Sequence, residues 1–228
     1  MSENHYLKQL IDVAALSVNK CARPIKAYLA YATNENFIGR PIVGYTPGVT
    51  DLALMTRDAA EALCQVQNEL VENHQVSLLI YDSYRPAQAV ADFVKWSHQA
   101  PAGDFELARK AVHYPHIEKR RMFELGYVSE NSQHCYGHTV DLVLTDIAGN
   151  ELDHGACFDF MDTLSHIDIT AAQIGEPALL NRVVLANAMM KFGFLTYPYE
   201  YWHFNFNNKL VNEPMNIEIT ADLKGLNC

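Results

Sequence analysis

The sequence has few of the features that mark membrane, secreted or nucleic-acid-binding proteins. No window approaches the ~20 apolar residues that a membrane span requires. The five cysteines are odd in number and form no CxxC pair, which indicates neither a disulfide framework nor a cysteine zinc cluster and fits a reducing compartment. The net charge of -10 argues against nucleic acid and anionic membranes as partners, because binding of phosphate groups needs a basic face.

The start of the sequence is also not expected to be a secretion signal. The first five residues carry no positive cluster, and Asp12 interrupts the short apolar run that follows. With 228 residues, 49% hydrophobic and 19% charged, the chain has a globular composition and enough length for one well-buried core. No repeat or linker-like segment divides it. We therefore expect one domain over residues 1–228 in the cytoplasm, with the oligomeric state left open, a homo-oligomer included.

Hydrophobic periodicity predicts helices and strands in mixed order. Helices are expected over 51–74 with Thr50 as cap, from Pro86 onward, over 105–123 with a break at Pro115, and over 177–192 with Gly193 at the end. Strands are expected over 76–80, 139–144, 194–197 and 201–206, and a hairpin turn over 146–150. Because helices and strands mix without strict βαβ alternation, the pattern indicates an α+β domain.

His134 and Asp141 lie seven positions apart around an expected strand. Val140 alternates with Asp141 along that strand, so the carboxylate faces away from the buried side. Gly137 allows the backbone to bend just before the strand. A catalytic zinc site uses three protein ligands and leaves one position for water, so His134 and Asp141 require a third ligand elsewhere.

His203 is the candidate for that third ligand. Glu200 precedes it by three positions, and side chains at this spacing point to opposite sides of a flat strand. A turn or a bulge is therefore needed before both can face one metal ion, and the sequence leaves open which of the two is present. Taken singly, each histidine is more often a hydrogen-bonded structural residue than a ligand.

Three other residues near these motifs have alternative interpretations. Arg85 lies at a strand-to-helix junction, where a solvated arginine is as common as a functional one. His138 imitates a helical histidine pair with His134, but Gly137 and the β-branched residues that follow disfavour a helix. Cys135 lacks the surroundings of a cysteine-protease nucleophile. The remaining histidines, His5, His74, His98, His113, His116, His154 and His166, have no ligand spacing and are interpreted as ordinary.

Several separate motifs together resemble one peptidase family, the D-alanyl-D-alanine dipeptidases of the VanX type. The resemblance runs from about residue 28 to 206 and is carried by Tyr31-Ala32-Thr33-x-x-Asn36, Tyr84-Arg85-Pro86, Gly126-Tyr127-Val128, Ser132-x-His134-x-x-Gly137-x-x-x-Asp141, Phe158-Asp159-Phe160-Met161-Asp162 and Glu200-x-x-His203. It implies a central, mostly antiparallel sheet flanked by helices, as in the wider group that includes muramyl carboxypeptidases and the hedgehog signalling domain.

The resemblance also implies a function for each motif residue. One zinc ion would be bound by His134, Asp141 and His203, with Glu200 as general base and Arg85 at the tetrahedral intermediate. Asp159 would hold the ammonium group of a small dipeptide substrate, and Ser132 and Tyr31 would line the substrate pocket. The reaction expected from the resemblance is hydrolysis of D-alanyl-D-alanine to two molecules of D-alanine.

The sequence departs from the family pattern at three positions and leaves two alternative functions. Thr139 stands where alanine is usual, Ser83 replaces a common glycine, and His138 is an additional histidine. A muropeptide carboxypeptidase or endopeptidase would use the same zinc ligands, but the absent export signal and the presence of Asp159 argue against it. A non-catalytic, zinc-stabilised binding module is disfavoured because it would need neither Glu200 nor Arg85.

Overall fold

The computed structural model describes residues 7–207 and 211–228. The expected absence of a signal at the chain start and the interpretation of His5 concern residues outside this part. Within it, six α-helices and seven β-strands occur. In chain order they are β1 (Leu10–Asp12), α1 (Val13–Lys20), β2 (Lys26–Ala27), β3 (Leu54–Thr56), α2 (Arg57–His74), β4 (Val76–Asp82), α3 (Ala87–His98), α4 (Asp104–His113), β5 (Thr139–Asp146), α5 (Ala171–Ile174), α6 (Glu176–Lys191), β6 (Phe194–Tyr197) and β7 (Glu200–Phe206).

A five-stranded sheet with the order β2-β4-β5-β7-β6 forms the centre of the fold. Only β2 pairs in parallel, with β4, while the pairs β4–β5, β5–β7 and β6–β7 are antiparallel. A separate small sheet joins β1 and β3. The prediction of an α+β fold with a mostly antiparallel sheet is confirmed. None of the helices in the described ranges has the length and apolar composition needed to cross a membrane.

The two faces of the sheet have different roles. Val140, Leu142 and Leu144 of β5 are fully buried and join the core formed with α2 and α6. Val143 belongs to the second core on the opposite face, and Asp141 alternates with the same periodicity toward that side. The predicted alternation along this strand is therefore confirmed, and it places a carboxylate on the face that α6 does not cover.

The helix expected from Asp51 begins later, at Arg57. Residues 54–56 instead form β3, in which Leu54 pairs with Asp12 and Thr56 with Leu10. Thr56 has an extended backbone and is the residue before the first helical turn, so the prediction of Thr50 as cap was wrong. A short run of buried apolar residues fits the spacing of a helix and of a strand equally well. For residues 54–56, pairing with β1 makes the segment a strand.

The other predicted elements occur with small shifts. Pro86 is the residue before the first turn of α3 rather than its first residue. α4 ends at His113, just before Pro115. The predicted continuation of this helix to Phe123 was wrong, because only the short 3-10 turn Lys119–Arg121 follows in that range. The expected hairpin after β5 is present: Asp146 Oδ1 accepts hydrogen bonds from the Gly149 and Asn150 amides, and Thr145 bridges to Glu151.

Candidate active site

Two neighbouring strands and one turn bring the three predicted metal ligands together. Asp141 of β5 lies directly opposite His203 of β7 in the antiparallel ladder. His134 lies in the 3-10 turn Gln133–Tyr136, immediately before β5. Gly137 joins this turn to the strand with φ +73°, and a Cβ there would lie 2.8 Å from the Leu10 side chain. The bend therefore requires glycine both for its backbone angle and for its close packing.

The ligand atoms of these residues converge on one point. His134 Nε2 lies 3.2 Å from Asp141 Oδ2, and His203 Nδ1 lies 3.0 Å from Asp141 Oδ1. The two imidazole nitrogens are 3.3 Å apart. Burial by itself would raise the pKa of Asp141, but the adjacent imidazoles of His134 and His203 bring it well below its usual value. Burial lowers the pKa of His203, so its neutral, ligating form is favoured.

The chemistry of these donor atoms fits a divalent cation. His134 Nδ1 lies 2.7 Å from the Ser83 carbonyl, which can only accept, so Nδ1 carries the hydrogen and Nε2 presents a lone pair. Within the described residues, His134, Asp141 and His203 form the one cluster of this type, with ligand atoms within 4.8 Å of one another. Two imidazoles and a carboxylate with an orienting carbonyl behind one ring are typical of zinc sites and accept several divalent metals.

Arg85 is buried beside this cluster, which excludes the interpretation as a solvated surface arginine. Its side chain is 9% exposed, and Nε donates to Asp82 Oδ2 at 2.9 Å. Nη2 lies 3.4 Å from Asp141 Oδ2. The guanidinium carbon lies 5.0 Å from the Tyr31 ring centre and 5.2 Å from that of Phe93. These contacts fix the orientation of the guanidinium group toward the cavity.

Glu200 reaches the ligands because β6 and β7 pair irregularly. Thr196 pairs with Phe204, but the next residue, Tyr197, pairs with Glu200, so three residues of β7 have no partner in β6. The required irregularity is therefore present, and it follows a tight turn. Glu200 Oε2 lies 3.6 Å from His203 Nδ1. Burial, reinforced by the charges of Asp141 and Asp159, raises the pKa of Glu200 well above its usual value.

Asp159 and Tyr31 form a second polar group in the same cavity. The Tyr31 hydroxyl donates to the Asp159 carboxylate, at 3.0 Å from Oδ2 and 3.3 Å from Oδ1. Burial, together with the negative charge of Asp141, raises the pKa of Asp159 to about 8. The charge of Arg85 opposes this rise only in part, and among the described residues no side chain forms an ion pair with Asp159. A buried carboxylate in this position attracts a cationic group.

All eight predicted site residues line a single cavity of about 280 Å³. They are Tyr31, Arg85, Ser132, His134, Asp141, Asp159, Glu200 and His203. Cys135, which was not expected to be a nucleophile, is not among the residues that line this cavity. Burial raises the pKa of the Cys135 thiol to about 11, which disfavours a thiolate nucleophile. His138 is buried next to the Tyr136 ring and does not belong to the ligand cluster.

Sequence reasoning missed several polar residues of the site, among them Asp82 and Asn205. Asp82 is fully buried and accepts from Tyr45 at 2.7 Å and from Arg85, so it holds the guanidinium in place. Its position three residues before Arg85, at a strand end, was the available signal. Asn205 lines the cavity, and Thr139, one of the departures from the family pattern, donates to its Oδ1 at 2.7 Å. No sequence pattern marked Asn205, since it meets Thr139 only across the paired strands β5 and β7.

The chain is similar to known dipeptidases over most of its length. The profile of the D-ala-D-ala dipeptidase family matches residues 13–219, a range that includes every residue of the cavity. The D-alanyl-D-alanine dipeptidase of Streptomyces coelicolor is 38% identical over 180 residues, which cover 78% of this chain and 84% of that protein. The D-alanyl-D-alanine dipeptidase of Enterococcus faecalis is 37% identical over 185 residues, or 81% of this chain and 85% of that protein. The Escherichia coli protein of the same name is 29% identical over 196 residues.

Proposed function

The chain belongs to the D-Ala-D-Ala dipeptidase family and is a peptidase, and we propose that it hydrolyses the free dipeptide D-alanyl-D-alanine with the help of one zinc ion. The observation that carries this proposal is that one cavity is lined both by the three ligand-type side chains and by Glu200, Arg85 and the buried Asp159. With about 280 Å³, the cavity lies just below the ~300–1,000 Å³ of pockets for drug-sized ligands, which suits a dipeptide.

His134, Asp141 and His203 would hold the cation through Nε2, a carboxylate oxygen and Nδ1. When bound, such a cation supplies Lewis-acid chemistry, since it acidifies water and polarises a peptide carbonyl. The two imidazoles are oriented for this by their partners: Ser83 holds the His134 ring, and the strand pairing of β5 with β7 fixes the position of His203 against Asp141.

Glu200 would accept the proton of the attacking water and pass it to the leaving amino group. Its carboxylate lies beside the ligands without being one of them. Burial raises its pKa well above the usual value, which increases its affinity for a proton, whereas a cation nearby stabilises its ionised form before the transfer. General base catalysis of this kind contributes typically ~10²–10⁴-fold to the rate.

Arg85 would stabilise the negative charge that develops on the carbonyl oxygen. Its guanidinium keeps its charge at any working pH, because Asp82 holds the pKa above its usual value although burial acts in the other direction. Asp82 occupies Nε, so the terminal nitrogens remain directed at the cavity. Removal of a comparable oxyanion donor costs roughly 3 kcal/mol in other enzymes.

Asp159 would select a free dipeptide by pairing with its ammonium group. An acylated or longer peptide lacks that charge at this position and would leave a buried carboxylate without its partner, which costs more than the loss of an apolar contact. The Tyr31 hydroxyl orients the carboxylate, and Ser132 lines the same cavity. The preference for D-configured residues rests on the family relationship alone. We place the enzyme in the cytoplasm, which is supported by five free thiols.

The test is release of D-alanine from D-Ala-D-Ala by the purified protein, with metal content measured by elemental analysis. N-acetyl-D-Ala-D-Ala and L-Ala-L-Ala serve as alternative substrates, and Glu200→Gln is compared with Glu176→Gln, which changes an exposed carboxylate at the start of α6. We expect turnover of the free D,D-dipeptide that Glu200→Gln abolishes and Glu176→Gln retains. Cleavage of the acetylated substrate would indicate a carboxypeptidase. Tightly bound zinc without any turnover would indicate a binding module.

A further inference from the structure

Asp159, which lines the cavity, has a left-handed backbone conformation. Its φ of +59° lies in the left-handed region, which residues other than glycine rarely adopt. The other non-glycine residues with positive φ in the described ranges, Gln75 and Asn227, do not line this cavity. Such a conformation persists only where the surrounding structure holds it.

His113, the last residue of α4, holds the backbone on both sides of this conformation. Its side chain is buried, and Nδ1 lies 3.2 Å from the Asp159 carbonyl oxygen. Its own carbonyl accepts a hydrogen bond from the Met161 amide at 2.6 Å. Two hydrogen bonds of opposite direction therefore connect one helix end to the residue that carries the carboxylate and to the residue two positions later.

Arg109 determines which nitrogen of His113 carries the hydrogen. The Arg109 guanidinium contacts His113 Nε2, and its Nε donates to the Asn36 carbonyl at 2.8 Å. Because a guanidinium can only donate, Nε2 must accept, and Nδ1 must carry the hydrogen. Burial, with the positive charge of Arg109, lowers the pKa of His113 to about 4, so the ring is neutral at pH 7. The single hydrogen of the neutral ring is thus directed at Asp159.

We propose that His113 is a positioning residue for substrate selection: its Nδ1–H group holds the Asp159 carbonyl and so directs the Asp159 carboxylate toward the substrate ammonium. The inference rests on the proposed function, in which Asp159 receives that ammonium. The His113 side chain does not itself line the cavity, so the imidazole acts through Asp159. Nothing in the sequence indicated this contact, because His113 and Asp159 are 46 positions apart.

Steady-state kinetics of metal-loaded variants separate this function from a general structural one. His113→Leu removes the donor, whereas His113→Asn keeps an N–H group at about the same distance from the backbone. Asp159→Asn provides the reference for a lost carboxylate, and Gln67→Leu removes a buried polar side chain of α2 that bonds Ser77 and lies outside the cavity. The readouts are kcat and KM for D-Ala-D-Ala, and Ki for N-propionyl-D-alanine, which has the same skeleton without the ammonium group.

For His113→Leu we expect KM to rise about five- to tenfold, the equivalent of one hydrogen bond, with kcat within about twofold and Ki unchanged. His113→Asn should return KM most of the way to the original value, and Gln67→Leu should leave both constants unchanged. Parallel increases of KM and Ki in His113→Leu would overturn the proposal, because they indicate general distortion of the cavity.

Asp159→Asn and His113→Leu together distinguish the ammonium site from its positioning by His113. If Asp159→Asn raises KM and His113→Leu does not, positioning by His113 is overturned while the function of Asp159 stands. If Asp159→Asn leaves KM unchanged, the ammonium site itself is wrong and the inference fails with it. A second measurement uses the wild-type protein and so does not depend on the stability of a variant. Long-range ¹H–¹⁵N correlation spectra of histidine-labelled protein should show the Nδ1–H tautomer for His113 at pH 7. An Nε2–H tautomer or an imidazolium ring would overturn the proposal.

Discussion

Replacement of Asp159 by asparagine tests substrate selection with little disturbance of the fold. The Asp159 side chain is buried, accepts the Tyr31 hydroxyl at 3.0 Å and has φ +59°. Asparagine is among the residues that tolerate the left-handed region, so Asp159→Asn removes the charge while it keeps the shape, one acceptor oxygen and the backbone conformation. Alanine would add backbone strain to the loss of charge and is the less informative change.

The magnitude follows from the charge and from the raised pKa. A hydrogen-bonded pair of ammonium and buried carboxylate contributes about 1.5–3 kcal/mol, so Asp159→Asn should raise KM for D-Ala-D-Ala by about 10- to 150-fold at most. The pKa of Asp159 is about 8, so below pH 8 the free carboxyl must first lose its proton, at about 1.4 kcal/mol per pH unit. The KM ratio of variant to wild type should therefore shrink as the pH falls from 8 to 6. A cation beside Asp141 offsets one cause of the raised pKa and moves this transition to lower pH.

The assay is D-alanine release at pH 6, 7 and 8 from D-Ala-D-Ala, with kcat and KM determined separately. The control is Asp153→Asn, which neutralises an exposed carboxylate of the same segment that bonds only the Gly155 amide in the described part of the chain. We expect the kcat of Asp159→Asn to stay within about tenfold, because the variant retains the groups around the scissile bond. An unchanged KM, or a ratio that grows as the pH falls, would refute the assignment of the ammonium to Asp159.

Three further predictions concern stability and the metal ligands. Gly137 has φ +73°, and the Cβ of an alanine there would lie 2.8 Å from Leu10, so Gly137→Ala should lower stability by about 1–2 kcal/mol. The variant should also bind zinc more weakly through His134 in calorimetric titration, and an unchanged zinc affinity would contradict this. Thr139→Val should cost about 1 kcal/mol in thermal unfolding through the lost bond to Asn205, with zinc affinity within about twofold of wild type. Burial lowers the pKa of His154 to about 4, so the unfolded chain binds more protons than the folded chain between pH 6.5 and 4. The free energy of unfolding should therefore fall by about 3 kcal/mol as the pH drops over that range. Urea unfolding of His154→Phe should show a weaker dependence of stability on pH.

Local patterns were sufficient to predict most of the elements around the site. Strict alternation along Val140 to Leu144 identified β5 and the face on which Asp141 lies. Gly193 and Pro115 marked helix ends correctly, because each acts through its own backbone and needs no distant partner. The start of α2 was predicted wrongly for the converse reason: whether residues 54–56 are helix or strand depends on their pairing with β1, more than 40 positions earlier.

The sequence by itself determined which chemical groups are available: two histidines, three carboxylates and an arginine in motifs that resemble one family. Only the tertiary structure decided how these groups act on one another. The pKa of Asp159 is raised because burial and Asp141 act on it together, and Arg85 is held by Asp82 and two aromatic rings rather than by solvent. The contact of His113 with Asp159 is likewise absent from any local pattern. Charge interactions and burial depend on distance in space, which spacing along the chain does not encode.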